Sequence, residues 1–161
     1  MDRLVVKGGT RLAGRITAAG SKNAVLPIMA AALLTDEPLV LRRVPELRDV
    51  ATMVKILERL GVTAEPEGRD LVLRGSTHGP CEADYDLVST MRASVCVLGP
   101  LVASRGRARV SLPGGCVFGV RPVDQHVRGL NGLGARTETS GGYLVSEAGA
   151  DLHGADLFLG T

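Results

Sequence analysis

Apolar residues recur along this chain with helical and with extended spacing, and each pattern is written twice. Val50, Met53, Val54, Leu57 and Leu60 share one helical face, with Gly61 as a stop signal. At an offset of 73 stand Val123, His126, Val127, Leu130 and Leu133, closed by Gly134. The spacing predicts two amphipathic helices, with Asp49 as N-cap of the first and Pro122 in the first turn of the second. On that face His126 replaces Met53 and is expected to be a partly buried, hydrogen-bonded core residue. Each helix leads into two short extended runs around a Gly turn: 63–65 with 71–74, then 136–138 with 143–146.

Upstream the repeat continues at an offset of 69. Ala24, Ile28 and Leu33 correspond to Ala93, Val97 and Val102, predicting apolar helices over 24–34 and 91–103. Each ends near a turn (35–38, 104–106) and leads into a strand (39–43, 108–112). With an opening strand at 84–88 the unit reads βαβαββ. The class is α/β of mixed type: a mixed sheet with helices on one side, in copies that share a core. The offset changes because ten residues, 113–122, separate Leu112 from Val123, where the first copy has six between Arg43 and Val50. The longer loop holds three glycines and Cys116. Loops inserted on a repeated scaffold tend to carry function.

Composition narrows the field. Of 161 residues 45% are hydrophobic but only 2% aromatic, with no Trp, so the core must be aliphatic. A net charge of +2 implies no polyanion-binding surface, and no aromatics interleave with Arg105, Arg107 and Arg109, which read as a solvated edge. Nucleic acid is therefore not an expected partner. Arg outnumbers Lys, which is confined to Lys7, Lys22 and Lys55; grips on carboxylate or phosphate favour Arg, but GC-rich coding gives the same bias. The longest nearly apolar stretch, 24–34, is far short of a membrane span, and no secretory signal opens the chain. Three cysteines at irregular spacing, without a CxxC pair, argue against a disulfide framework or structural zinc and for a reducing, cytoplasmic setting.

Two places could do chemistry. Cys116, between Gly115 and Gly119, is expected on an exposed loop; an unperturbed thiol, with a pKa of about 8.5, is protonated at neutral pH and can act as a general acid. Arg121 nearby would favour the thiolate, and a bound anion would oppose that. Ser21, Lys22 and Asn23 open the first apolar helix, where free amides, the dipole and an ammonium suit a phosphate or carboxylate. Arg92 stands at the matching position in the second copy, offset 69 from Asn23. Arg121 and Asp124 open the later helix, where one could hold an anion and the other accept a hydrogen bond. Cys96 reads as a small hydrophobe, Cys81 as a thiol without a partner, and His78 and His153 as loop residues. No Walker or GxGxxG sequence occurs.

Taken together, Gly20-Ser21-Lys22-Asn23-Ala24, Thr90-Met91-Arg92-Ala93-Ser94 and Leu112-Pro113-Gly114-Gly115-Cys116, followed by Gly119-Val120-Arg121-Pro122-Val123-Asp124, resemble the UDP-N-acetylglucosamine 1-carboxyvinyltransferases. The likeness runs in order from Met1 to about Asp156. It implies an inside-out α/β barrel of the enolpyruvyl-transferase type. It also implies transfer of the enolpyruvyl group of phosphoenolpyruvate to the 3-hydroxyl of UDP-N-acetylglucosamine, the first committed step of peptidoglycan synthesis. By matching motif, Cys116 would be the general acid and the target of fosfomycin. Lys22 and Asn23 would bind phosphoenolpyruvate. Arg92 would touch the nucleotide sugar, and Arg121, Pro122, Val123, Asp124 and Gln125 would line its pocket. No metal or organic cofactor is implied. The sister enzymes that use shikimate 3-phosphate share fold and donor, without a known Cys loop of this kind.

Members of that family have two domains of three βαβαββ units each. Against that pattern, residues 1–20 are a strand region belonging with an absent second domain. Residues 21–161 form two units, about 21–76 and 84–148, of a domain whose third unit is missing. A catalytic Asp and a phosphoenolpyruvate-binding Arg are expected from the absent half, so the isolated chain is expected to be inactive.

Overall fold

The computed structural model describes residues 3–89, 91–112, 123–148 and 152–158, with only the backbone described for Arg92. The first repeat runs α1 (Lys22–Ala30), a 3-10 turn (Ala31–Leu34), β1 (Leu39–Leu41), α2 (Arg48–Arg59) and a hairpin of β2 (Thr63–Glu67) and β3 (Asp70–Arg74). The second runs β4 (Glu82–Ala83), α3 (Tyr85–Val88), a 3-10 helix (Arg92–Val97), α4 (Leu98–Arg105), β5 (Arg107–Ser111), α5 (Asp124–Gly132) and a hairpin of β6 (Ala135–Ser140) and β7 (Tyr143–Ala148). Helix, strand, helix and hairpin recur in the expected order. Residues 3–20 form no regular element, and Leu4, Val6, Leu12 and Ile16 are exposed.

Each repeat has its own open sheet. The first is antiparallel throughout, in the order β1-β3-β2, with Leu39 opposite Leu73 and Ala64 opposite Leu73 on its other side. The second is mixed, in the order β4-β5-β7-β6, because β4 joins β5 in parallel while β5–β7 and β7–β6 are antiparallel. Among the described residues no barrel closes. Two-residue turns complete the hairpins, and Gly141 and Gly142 both take positive φ (56° and 82°), the backbone that tight hairpin turns require.

One apolar core serves both repeats. Met29 and Leu33 of the first, and Leu98, Leu101 and Leu144 of the second, are fully buried in a single cluster. Each repeat's opening helical segment crosses to the other: α1 packs on the 3-10 helix, and the 3-10 turn after α1 packs on α4. Neither repeat could bury its helices alone, so sharing the core is what makes so small a unit stable.

Three local expectations are corrected. The opening strand expected over 84–88 is the two-residue β4, followed by the one-turn α3. Leu87 and Val88 are adjacent and both pack on the core, which strand alternation forbids and a helical turn permits. The apolar segment over 91–103 starts as a 3-10 helix and becomes α-helical only from Leu98, with Pro100 in the first turn, where a missing amide is tolerated. His126 is exposed, whereas Met53 is fully buried. The difference follows from packing. Helix α2 lies among α1, α3 and β2, while α5 rests chiefly on its own hairpin and so buries a narrower stripe.

Candidate functional site

Helix α1 begins without a side-chain cap. Ser21 is extended and its hydroxyl makes no capping bond; the first helical bond runs from the Val25 amide to the Ser21 carbonyl at 3.0 Å. The leading amides of α1 are therefore left without intrahelical acceptors, with Lys22 and Asn23 as the first two helical residues. Pro27 has no amide to give to the Asn23 carbonyl, so the usual helical bond to that carbonyl is missing.

Lys22 is anchored from another element. Its Nζ lies 2.9 Å from Oδ2 of Asp49, with the two side chains 50% and 35% exposed. Asp49 was expected to cap α2. The cap position is Leu47 instead, and Asp49 is the second helical residue, its carboxylate turned to the ammonium rather than to its own backbone. The start of α1 also abuts the loop after β1. A Cβ on Gly20 would lie 2.8 Å from the Arg43 carbonyl, so only glycine fits there. Arg43 itself has φ +55°, and its amide is held by Asp70 Oδ1 at 2.8 Å.

The other candidates belong to the second repeat. Arg92 opens the 3-10 helix that packs on α1, so the two equivalent helical elements are neighbours. Val123 occupies the cap position of α5 and packs partly on the core; Asp124 follows, exposed, in the first turn. Gln125 is half-buried, and its Oε1 is sequestered without a hydrogen-bond partner. Cys116, Arg121 and Pro122 lie outside the described residues. The loop that holds them leaves the sheet at Leu112, whose amide donates to the Gly142 carbonyl at 2.9 Å.

Side chains outside this group have structural work. Cys96 is half-buried, and desolvation pushes its thiol above the usual range, which fits an inert filler. Cys81 does have a partner, donating to the Gly79 carbonyl at 3.5 Å. Of the three arginines expected at a solvated edge, Arg107 is exposed and Arg109 keeps 42% of its side chain exposed, whereas Arg105 is committed to the fold. The Arg105 guanidinium donates to the carbonyls of Leu60 (3.0 Å), Ser76 (2.7 Å) and Pro80, tying the link between the repeats to the end of α2. Arg109 pairs with Glu82 and lies 3.5 Å over the Tyr143 ring. Among the described residues no group of three His, Cys, Asp or Glu is placed to hold a metal, and no helix is long and apolar enough to cross a membrane. The Lys22–Asp49 pair and the Arg105 clamp are contacts that sequence reasoning missed. The first had a signal in its cation: at the offset of 69 Lys22 corresponds to Met91, so the charge is not part of the repeated pattern.

Residues 6–157 match the family described as EPSP synthase (3-phosphoshikimate 1-carboxyvinyltransferase). The chain is 50% identical over 161 residues to the UDP-N-acetylglucosamine 1-carboxyvinyltransferase of Desulfatibacillum aliphaticivorans, covering all of this chain and 38% of that one. It is 47% identical over 157 residues to the enzyme of the same name from Acinetobacter guillouiae, covering 98% and 38%. The chain thus spans well under half the length of these relatives. Among solved structures, the enolpyruvyl transferase NikO from Streptomyces tendae superposes with a TM-score of 0.73 at 25% identity, over 91% of this chain and 32% of that one. An EPSP synthase from Acinetobacter baumannii superposes with a TM-score of 0.62 at 21% identity, over 86% and 32%, and shows the shared fold. With its repeats, its helix-start lysine and these relatives taken together, the chain belongs to the EPSP synthase (3-phosphoshikimate 1-carboxyvinyltransferase) family of enolpyruvyl transferases.

Proposed function

We propose that this chain forms the cysteine-bearing part of an enzyme that transfers the enolpyruvyl group of phosphoenolpyruvate to the 3-hydroxyl of UDP-N-acetylglucosamine. The observation that carries the reading is near half-identity, along the whole chain, to enzymes named for that sugar nucleotide. The shikimate-phosphate reading draws only on the family's name and on more distant likeness of fold.

In this reaction the sugar oxygen attacks C2 of phosphoenolpyruvate while the Cys116 thiol delivers its proton to C3. Loss of a proton from C3 then expels inorganic phosphate by breaking the C2–O bond, and the enolpyruvyl ether remains. Lys22 and Asn23, at the uncapped start of α1, bind the phosphate and carboxylate of the donor, where ammonium and amides stabilise the charge that develops on them. Arg92, Arg121, Pro122, Val123, Asp124 and Gln125 line the nucleotide-sugar side. The exposed carboxylate of Asp124 is an acceptor suited to a base N–H or a sugar hydroxyl, and the Oε1 of Gln125 beside it is buried and unpaired. The base that receives the 3-hydroxyl proton and a further cation for the donor come from the remaining length that the relatives possess. Residues 1–20 belong with that part, and the enzyme works in the cytoplasm. The chain alone is accordingly inactive, releasing no phosphate when given both substrates.

Intact-mass spectrometry after fosfomycin exposure tests this, with and without UDP-N-acetylglucosamine. One adduct, promoted by the sugar nucleotide and lost in Cys116→Ala, is the expected result. No adduct, or equal labelling of Cys81 and Cys96, would remove the assignment of this site.

A further inference from the structure

The functional reading gives Lys22 a task that its side chain is poorly built to perform alone. A lysine is a point charge on a flexible four-carbon stem, and a half-exposed one samples many rotamers. Holding its ammonium where one anion will sit requires something else to fix it. In this structure a carboxylate from a different helix does so, at 2.9 Å.

Resting on that reading, we infer that Asp49 is a positioning residue: it holds the Lys22 ammonium at the start of α1 so that its remaining N–H groups meet the phosphoenolpyruvate anion. Three observations converge on it. The carboxylate makes no cap to its own helix and is committed to Lys22. An ammonium has three donors, so one bond to Asp49 leaves two for an incoming anion. The third is the backbone around the pair. Gly20 and the left-handed Arg43 bring the loop before α2 against the same helix start, so the backbone around the pair is fixed too.

The charge of Asp49 is opposed to binding an anion, so the sign of its effect decides between two roles. A competitor that occupies Lys22 would release affinity when removed, while a positioner would take affinity with it. The positioning role is favoured by the first-turn location of Asp49, where the α2 dipole already offsets part of its charge, while the ordering of Lys22 is retained in full.

The chain has three lysines, so isotope-labelled lysine gives three resolvable Cε signals, from Lys7, Lys22 and Lys55. Asp49→Asn is expected to make Lys22 Cε as mobile as that of exposed Lys55, with an unchanged melting temperature. Unchanged Lys22 mobility would overturn the inference. Calorimetric titration with phosphoenolpyruvate supplies the functional arm. Asp49→Asn should weaken binding about five-fold, the upper range for a half-exposed pair. It should add nothing in a Lys22→Ala background, because its effect passes through Lys22. Equal or tighter binding by Asp49→Asn, or the same loss without Lys22, would refute positioning while leaving the functional reading intact. Binding that ignores Lys22→Ala, or none in the unaltered chain, would instead remove the functional reading, and the inference with it.

Discussion

Replacing Arg105 by Ala should destabilise the chain more than any other surface-charge deletion, and the structure sets the size. Its guanidinium donates to three main-chain carbonyls, those of Leu60, Ser76 and Pro80, from positions far apart in sequence. A hydrogen bond to a charged group contributes about 1.5–3 kcal/mol when its partner cannot find water. Leu60 is fully buried, so its carbonyl has the least access to a replacement, while Ser76 and Pro80 are more open and will be rehydrated. Burial also lowers the Arg105 pKa, an opposing cost that the nearby Cys81 partly offsets. The net expectation is a loss of about 2–3 kcal/mol, most of it from the Leu60 carbonyl. At about 2–4 °C per kcal/mol for a chain of this size, the melting temperature should fall by roughly 4–12 °C.

Urea unfolding followed by circular dichroism measures this as a lower midpoint at constant slope. Arg105→Lys keeps the charge but not the planar fork, and should recover no more than half of the loss. Because the partners are neutral carbonyls, the effect should persist in high salt, where a surface ion pair would be screened. A change within about 0.5 kcal/mol, typical of ordinary surface sites, would show that the clamp is not formed in solution.

Two further outcomes follow from particular contacts. Met53 and His126 are repeat equivalents, but Met53→Ala should cost about 2–5 kcal/mol and His126→Ala under about 0.5 kcal/mol, read from the same urea curves. The Asp36 carboxyl is held below its ordinary pKa by the Thr77 amide at 2.9 Å, then by the Thr77 hydroxyl, with Ser76 and His78 adding smaller effects. A lowered folded-state pKa gives stability that is present above the unfolded value, near 3.9, and lost as pH falls through the folded one. Asp36→Asn should therefore destabilise at neutral pH and converge with the unaltered chain in acid; a difference that persists at low pH would refute the linkage.

The periodic elements were legible because their apolar spacing states both the element and its buried face. Helices α2 and α5 and both hairpins were placed within a few residues. What escaped were features fixed by partners distant in sequence. Strand β4 has only two residues and exists because β5 runs beside it, so no alternation announces it. His126 was misjudged because helical spacing says which side faces inward, not how deeply a neighbour covers it. Arg105 looked like one of three alternating charges until the Leu60 carbonyl was brought to it across the fold. In the candidate site, Lys22 and Asn23 could be read from a helix start, but the carboxylate that holds Lys22 lies 27 positions on, at a spacing that no local rule links to it.

The repeat supplies the rule that local patterns lack. Where the copies agree, as at Leu57 and Leu130 or Leu71 and Leu144, they build core or pack against it. Where they disagree, the polar chemistry gathers: Lys22 against Met91, Asn23 against Arg92, Asp49 against Pro122, and four inserted residues around Cys116. Disagreement alone is not sufficient, since Met53 against His126 reflects only the shallower seating of α5. The difference lies in location. Lys22, Asn23, Asp49 and Arg92 stand at the first or second position of their helices, where amides lack intrahelical acceptors and the dipole favours anions, whereas His126 is third in α5, its amide already bonded to the Val123 carbonyl, on a face that its neighbours leave open. Packing α1 on the 3-10 helix of the second copy sets two such elements side by side, and because their opening residues differ in sequence the symmetry of the scaffold does not extend to its polar groups.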